Sequence, residues 1–277
     1  MDIRTKAFRA ERLSNPLDEA VKLRDKSILE MVRAAVFHQE VTLAFQPIFG
    51  QKNPKQPRFY ESLIRVLDET GRFIPAAQFL PFVQHDEIAR ELDRLALKLS
   101  LERLVKHPNL CLSVNMSARS IGYRPWMDTL NNALRVYPDI NKRLILEISE
   151  GSVVEMPELV ADFMPDLQNR GVSFCLDDYG AEHTSFKILH DRYFEFVKLD
   201  GSYTQRVYES QEKQILANTV ATMLRRLGIH SVATKVESQL EARMMKNLGF
   251  SYLQGFYLSA PTVSPPWDPV QTSPTMA

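Results

Sequence analysis

VSFCLDDYG, residues 172–180, is an apolar run that ends in two adjacent carboxylates, Asp177 and Asp178. Adjacent acids repel each other and lose hydration when buried, so at the end of a buried strand they call for a cation. A divalent metal is the first candidate; a pair that caps the next helix is the alternative. The same pattern, an apolar strand with polar residues toward one end, recurs along the chain. VTLAFQPIF (41–49) holds Gln46, RFYESLIRV (58–66) holds Glu61 and Arg65, LCLSVN (110–115) ends in Asn115, and RLILEISE (143–150) carries Glu147 and Glu150. FEFVKLD (194–200) carries Lys198 and Asp200, SVATKVE (231–237) reaches Glu237, and YLQGF (252–256) holds Gln254. Stretches of helical spacing at 87–107, 156–171 and 210–228 separate several of them. Strands alternating with helices predict an α/β fold, and eight strands predict a modified (β/α)8 TIM-like barrel whose strand ends converge on one mouth.

The connection between the first two strands, QKNPKQPR (51–58), is too short for the helix that a parallel pair requires. The first strand is therefore expected to run antiparallel to the rest. SILEMVRAAVFHQ (27–39) is expected to form a helix that leads into it and plugs the bottom of the barrel. Residues 1–26 read as an N-terminal extension, 27–262 as the barrel, and 263–277, rich in Pro, Ser and Thr, as a tail.

The 277 residues carry 34 basic and 34 acidic side chains, so nothing points to a long nucleic acid as partner. No apolar run approaches the ~20 residues that span a bilayer, and the N-terminus lacks the apolar middle of a signal peptide. A cytoplasmic location without membrane insertion is the expectation. Cys111 and Cys175 fall inside buried strands without metal-site spacing, and read as reduced core thiols.

The polar residues also have blander readings. Arg65 can be a rim cation, Gln46 a hairpin polar residue, and Lys198 a strand-end side chain reaching for solvent. Glu61, Glu147 and the Asp177/Asp178 pair are harder to dismiss, because three buried strands deliver negative charge to one place with few cations nearby.

In this order, FQPI (45–48), ESLIR (61–65), SVNMSA (113–118), LEISE (146–150), LDDYG (176–180), VKLDGS (197–202), KVES (235–238) and LGFSYLQGFYLSAP (248–261) make the chain resemble the EAL-domain family of bacterial cyclic di-GMP phosphodiesterases. The resemblance implies that Glu61, Asn115, Glu147 and Asp177 bind a first Mg²⁺ or Mn²⁺, with Asp177 and Asp178 contributing to a second. It implies that Lys198 lies beside the attacking water, that Arg65 and Gln46 contact the ligand, and that Glu150 tethers the loop after the paired aspartates. Asp200, Glu237 and Gln254 fall on further motif positions around the mouth, Glu237 among the catalytic candidates.

Two departures from the family pattern stand out. The usual AEGVET reads ATKVES at 233–238, so Thr234 replaces the family glutamate assigned to the second metal and to general-base action, and Lys235 replaces a glycine. DDFGTGYSS reads DDYGAEHTS, with Glu182 replacing a glycine and Thr184 a serine. A hydroxyl has no basicity near pH 7, and losing a general base costs about 10²- to 10⁴-fold in rate. The expectation is a degenerate domain with one metal site and a weak or absent second. It would bind cyclic di-GMP or a related nucleotide as a receptor with little or no hydrolysis. An active phosphodiesterase and a protein-interaction module that has lost nucleotide binding are the alternatives. A homodimer and an unnamed signalling protein are the candidate partners, with the input signal arriving from another chain or from the ligand.

Overall fold

The structure, a computed structural model, describes residues 16–84, 86–181, 188–189 and 194–268. The departures at Glu182 and Thr184 lie outside the described residues. The wall of the barrel is built from β1 (Val41–Gly50), β2 (Asn53–Leu67), β4 (Leu112–Asn115), β5 (Leu144–Ser149), β6 (Ser173–Tyr179), β7 (Phe196–Leu199), β8 (His230–Ala233) and β9 (Tyr252–Leu253). The short β3 (Phe73–Pro75) hangs on the outer part of β2. β2 and β4 to β9 pair in parallel, whereas β1 is antiparallel to both of its neighbours, β2 and β9, and closes the barrel. The expected hairpin is present.

Alternation along each strand sorts its side chains between two environments. Inside the barrel, Ile48, Phe59, Ile145, Cys175, Phe196 and Val232 form a closed apolar floor, with Cys111 and Tyr252 packed on it. Two residues further along each parallel strand, the inward position is polar: Glu61 follows Phe59, Glu147 follows Ile145, Asp177 follows Cys175, Lys198 follows Phe196, Thr234 follows Val232 and Gln254 follows Tyr252. In the antiparallel β1 the sign reverses, and Gln46 precedes Ile48; its Cα partner on β2 is Glu61. The outward set, including Leu144, Leu146, Phe174, Leu176, Val197 and Leu199, belongs to the larger core beneath the helices.

Around the wall lie α1 (Pro16–Phe37), α2 (Ala76–Val83), α3 (Glu87–Lys106), α4 (Arg124–Val136), α5 (Glu150–Glu155), α6 (Pro157–Asn169), α7 (Gly201–Thr204), α8 (Gln211–Arg226) and α9 (Gln239–Asn247). Their starts follow ordinary capping chemistry: Asp86 accepts from Ile88 N at the head of α3, and Ser238 and Glu241 form a capping box on α9. α1 does not plug the barrel. Its buried Val32 and Ala35 join the outer core, and the helix lies against α2 and α3. The floor is filled by strand side chains, as the narrow interior of an eight-stranded barrel allows.

The C-terminal stretch read as a tail includes Trp267, whose ring meets Phe45, Tyr60 and His107 edge-on at 4.7, 5.8 and 5.2 Å. Next to it, Asp268 pairs with Arg103 (3.2 Å) and Lys106 (2.9 Å) of α3. Thr262 exchanges backbone hydrogen bonds with Phe45, so this stretch runs beside β1. Trp267→Ala is expected to cost about 2–4 kcal/mol, somewhat less than a fully buried Trp. Urea unfolding checks it; a cost under about 0.5 kcal/mol would show that the contacts are incidental.

Candidate active site

The polar layer above the floor opens into a cleft of about 450 Å³ lined by Gln46, Glu61, Arg65, Asp177, Asp178, Lys198, Thr234, Lys235, Glu237 and Gln254, with Leu63, Phe256 and Pro261 among its apolar walls. At its base, Lys198 Nζ donates to Glu61 Oε2 (2.8 Å) and Glu147 Oε2 (2.5 Å). Lys198 and Glu147 are fully buried in effect, with 1% and 0% exposure of their side chains. Asn115 Nδ2 donates to Glu61 Oε1 at 2.8 Å, and Gln254 Nε2 donates to Glu61 Oε2 at 2.6 Å and to Gln46 Oε1 at 3.1 Å. Gln46 Nε2 in turn donates to Ser259 O at 3.1 Å. Five strands and the segment after β9 are thus tied into one hydrogen-bonded network.

Electrostatics within the network are unequal. Burial works to raise the Glu61 carboxyl, but Lys198 and the hydrogen bonds from Lys198, Gln254 and Asn115 outweigh it and hold it below the usual range. Burial, reinforced by the Glu61 charge, pushes Glu147 up despite Lys198. Burial likewise raises Asp177, against the pull of Lys198. The Lys198 ammonium is disfavoured by burial, yet Asp177, Glu147 and Glu61 together hold it well above its usual range.

Glu61, Glu147 and Asp177 each offer an oxygen, all within 4.8 Å of one another. One ammonium against three carboxylates leaves two negative charges unbalanced when all are ionised, the charge of a single Mg²⁺ or Mn²⁺. Glu147 Oε1 is buried without a hydrogen-bond partner among the described residues, and Asn115 meets the cluster through its amide nitrogen. These residues fit one hard divalent ion.

The adjacent aspartates part company. Between Leu176 and Tyr179 the pairing of β6 with β7 slips: Leu176 faces Val197 and Tyr179 faces Leu199, so β6 spends one residue more than its partner. This bulge turns Asp178, at φ 53°, out to the rim while Asp177 stays inside. Asp178 therefore lines the cleft but stands outside the three-carboxylate cluster. Asp200 is not among the cleft-lining residues; its Oδ1 caps α7 by accepting from Ser202 N at 2.9 Å. Glu237 is exposed at the rim. Glu150, at the start of α5, accepts from Gly180 N at 2.9 Å, one residue past the bulged strand. Arg65 Nη1 donates to Ile64 O at 2.9 Å, and burial lowers its guanidinium against the opposing pull of Glu61. Thr234 Oγ1 donates to Leu199 O at 2.8 Å, so its hydroxyl proton is committed to the backbone. A glycine at 255 is required here: a Cβ would lie 2.1 Å from Val236 O, where the two backbones bordering the mouth cross.

Asp93 and Phe256 were not singled out by sequence reasoning. Asp93, on α3, accepts from Ser117 N (2.9 Å) and Ser120 Oγ (2.6 Å), pinning the chain just past Asn115. Its only sequence signal is an acid beside the buried Leu92 and Leu95. Burial pushes it up to about 6, against those hydrogen bonds. The folded state thus binds this proton more tightly, and the stability it contributes is lost as pH rises from 3.8 to about 6. Asp93→Asn is expected to flatten that part of the pH–stability curve, read by thermal unfolding from pH 4 to 7; an unchanged slope would assign it elsewhere. Phe256 is 66% exposed on the cleft wall, a large apolar surface left for a ligand.

The EAL domain profile matches residues 29–261. A cyclic di-GMP phosphodiesterase of Shewanella oneidensis, PdeB, is 24% identical over 234 residues, which make up 83% of this chain and 27% of that protein. The cyclic di-GMP phosphodiesterase PdeA of Borreliella burgdorferi is 25% identical over 268 residues, 93% of this chain and 40% of that one. The chain therefore spans well under half the length of these curated relatives. Among solved structures, the EAL domain of FimX from Pseudomonas aeruginosa bound to cyclic di-GMP superposes with a TM-score of 0.74 at 25% identity, covering 85% of this chain and 96% of that chain. With the antiparallel first strand, the acid-lined mouth and a match across most of its length, this chain belongs to the EAL domain family.

Proposed function

We propose that this chain binds cyclic di-GMP, or a nucleotide of that kind, in the mouth cleft and hydrolyses it weakly or not at all, acting as a receptor. The observation that carries the reading is Thr234: where the family pattern has a carboxylate, the cleft wall presents a hydroxyl bonded to Leu199 O. Such a group takes no proton from water near pH 7. The relatives that bear on the ligand are those named for cyclic di-GMP.

Glu61, Asn115, Glu147 and Asp177 would hold one Mg²⁺ or Mn²⁺, with the second site weak or absent. When bound, such an ion polarises a phosphodiester and acidifies its bound water. Lys198 keeps Glu61 ionised and fixes Glu61 and Glu147 in place, and Arg65 meets ligand phosphate. Gln46 and Gln254, whose amides are engaged with each other and with Glu61, hold the ligand wall in shape. Phe256 offers a face for a purine. Asp178 and Glu237 remain at the rim, Asp200 acts through α7, and Glu150 anchors the chain at Gly180. In this reading residues 27–262 form the signalling domain of a cytoplasmic protein. Among the described residues no helix is long and apolar enough to cross a membrane.

The intact Glu61, Glu147, Asp177 and Lys198 assembly favours a second reading, an active phosphodiesterase. Calorimetric titration with cyclic di-GMP, with and without Mg²⁺, paired with product analysis, separates the two. Saturable binding with intact nucleotide supports the receptor; rapid conversion supports the enzyme; no heat and no product would leave a protein-interaction module.

A further inference from the structure

Three cations line the cleft among the described residues: Arg65, Lys198 and Lys235. Lys198 is spent on Glu61 and Glu147. Arg65 comes from β2, whereas Lys235 follows β8, and β1 and β9 separate those two strands in the wall. The other two cations therefore reach the cleft from different sides. A cyclic dinucleotide presents two phosphodiesters.

Lys235 is held where it is by more than its sequence position. Its backbone lies in the left-handed region, at φ 52°, which disfavours a long side chain and turns the residue over toward α7. Its stem then lies across Gly201: a Cβ on residue 201 would stand 2.2 Å from Lys235 Cδ and 2.8 Å from its Cβ. Only glycine at 201 leaves room for it. From there it lines the same cleft as Asp178, a carboxylate outside the three-carboxylate cluster.

We infer that Lys235 is a fixed cation of the mouth, supplying the second phosphodiester contact opposite Arg65 without a second divalent ion. Its nucleotide arm rests on the cyclic dinucleotide reading above; its metal arm does not. Lys235→Met keeps the stem and removes the charge, Lys235→Arg keeps the charge, and Gly201→Ala displaces the stem with the charge intact.

Without nucleotide, Mn²⁺ affinity is read by calorimetry or electron paramagnetic resonance. Removing a nearby positive charge is expected to tighten Mn²⁺ binding to Lys235→Met by about threefold or more at low salt. Lys235→Arg should match the unmodified protein. In chelator, Lys235→Met and Gly201→Ala are expected to bind cyclic di-GMP about tenfold more weakly, the worth of one charge-assisted contact, with Lys235→Arg close to unmodified. Thermal unfolding verifies that each variant is folded. Unchanged Mn²⁺ affinity in Lys235→Met overturns the inference. So does unchanged nucleotide affinity in both Lys235→Met and Gly201→Ala. If the unmodified protein binds no cyclic di-GMP, the receptor reading and the phosphate contact fall together, and the Mn²⁺ result alone decides whether Lys235 is a fixed cation of the mouth.

Discussion

Incubated with cyclic di-GMP and Mg²⁺ or Mn²⁺, the unmodified protein is expected to leave the nucleotide essentially intact, while Thr234→Glu with Lys235→Gly gains turnover by about 10²-fold or more. The gain is expected because the lower half of the site is already assembled. Glu61, Glu147 and Asp177 converge within 4.8 Å, and Lys198 is seated between the first two. What the wall lacks at 234 is a carboxylate, and Lys235 beside it adds a positive charge to the cleft. Glycine at 235 also suits the left-handed backbone there. Glu61→Ala added to the pair should abolish the gain, which ties it to the metal cluster. Rapid hydrolysis by the unmodified protein, lost on Glu61→Ala, would mean that another group serves as base and that the receptor reading is wrong.

Lys198→Met is expected to destabilise the metal-free protein by about 3–5 kcal/mol, among the largest effects of any single substitution, because it leaves Glu61, the carboxylate it holds ionised, buried without a counter-charge and takes the hydrogen-bond donor from Glu147. The methionine stem fills nearly the same volume, so the loss measures charge rather than packing. Three results should accompany it. The loss should shrink as pH falls, since stranded acids have raised folded-state values, and the stability they cost is recovered once they are protonated. Mg²⁺ or Mn²⁺ should restore part of it by mass action on the folded state. Glu61→Gln in the Lys198→Met background should be less damaging than the two separate losses added, because the partners share one network. A loss under about 1 kcal/mol, independent of pH and metal, would show that the acids do not depend on Lys198.

Much of the architecture was legible in the chain. The positions of the strands, the antiparallel hairpin and the inward polar residues all follow from local rules: period-two alternation, the length of a connection, and polar residues two steps beyond an apolar floor. Helices expected over 87–107, 156–171 and 210–228 appear as α3, α6 and α8 with ends within a few residues. Strand periodicity assigns a face, and that was enough to collect Glu61, Glu147, Asp177 and Lys198 at one mouth.

Register and packing were not legible, because they depend on residues far apart in the chain. The bulge that separates Asp177 from Asp178 exists only relative to β7. Two neighbouring acids that read as one metal-binding pair become a cluster member and a rim residue. Likewise Lys198 reads alone as a strand-end cation, and only closure of the barrel brings it onto Glu61, 137 residues earlier. α1 has a helical pattern whatever it packs on, so the expected plug gave way to strand side chains that already fill the floor. Trp267 lies in a Pro-rich stretch with no periodicity, yet finds Phe45, Tyr60 and His107. Sequence by itself determined which face of most strands turns inward, since alternation and connection length act locally, while Asp178 and Asp200 leave the positions that pattern gave them. Tertiary structure alone decided which of them share a charge, because an ion pair depends on distance in space and the chain encodes that distance only through the closed barrel.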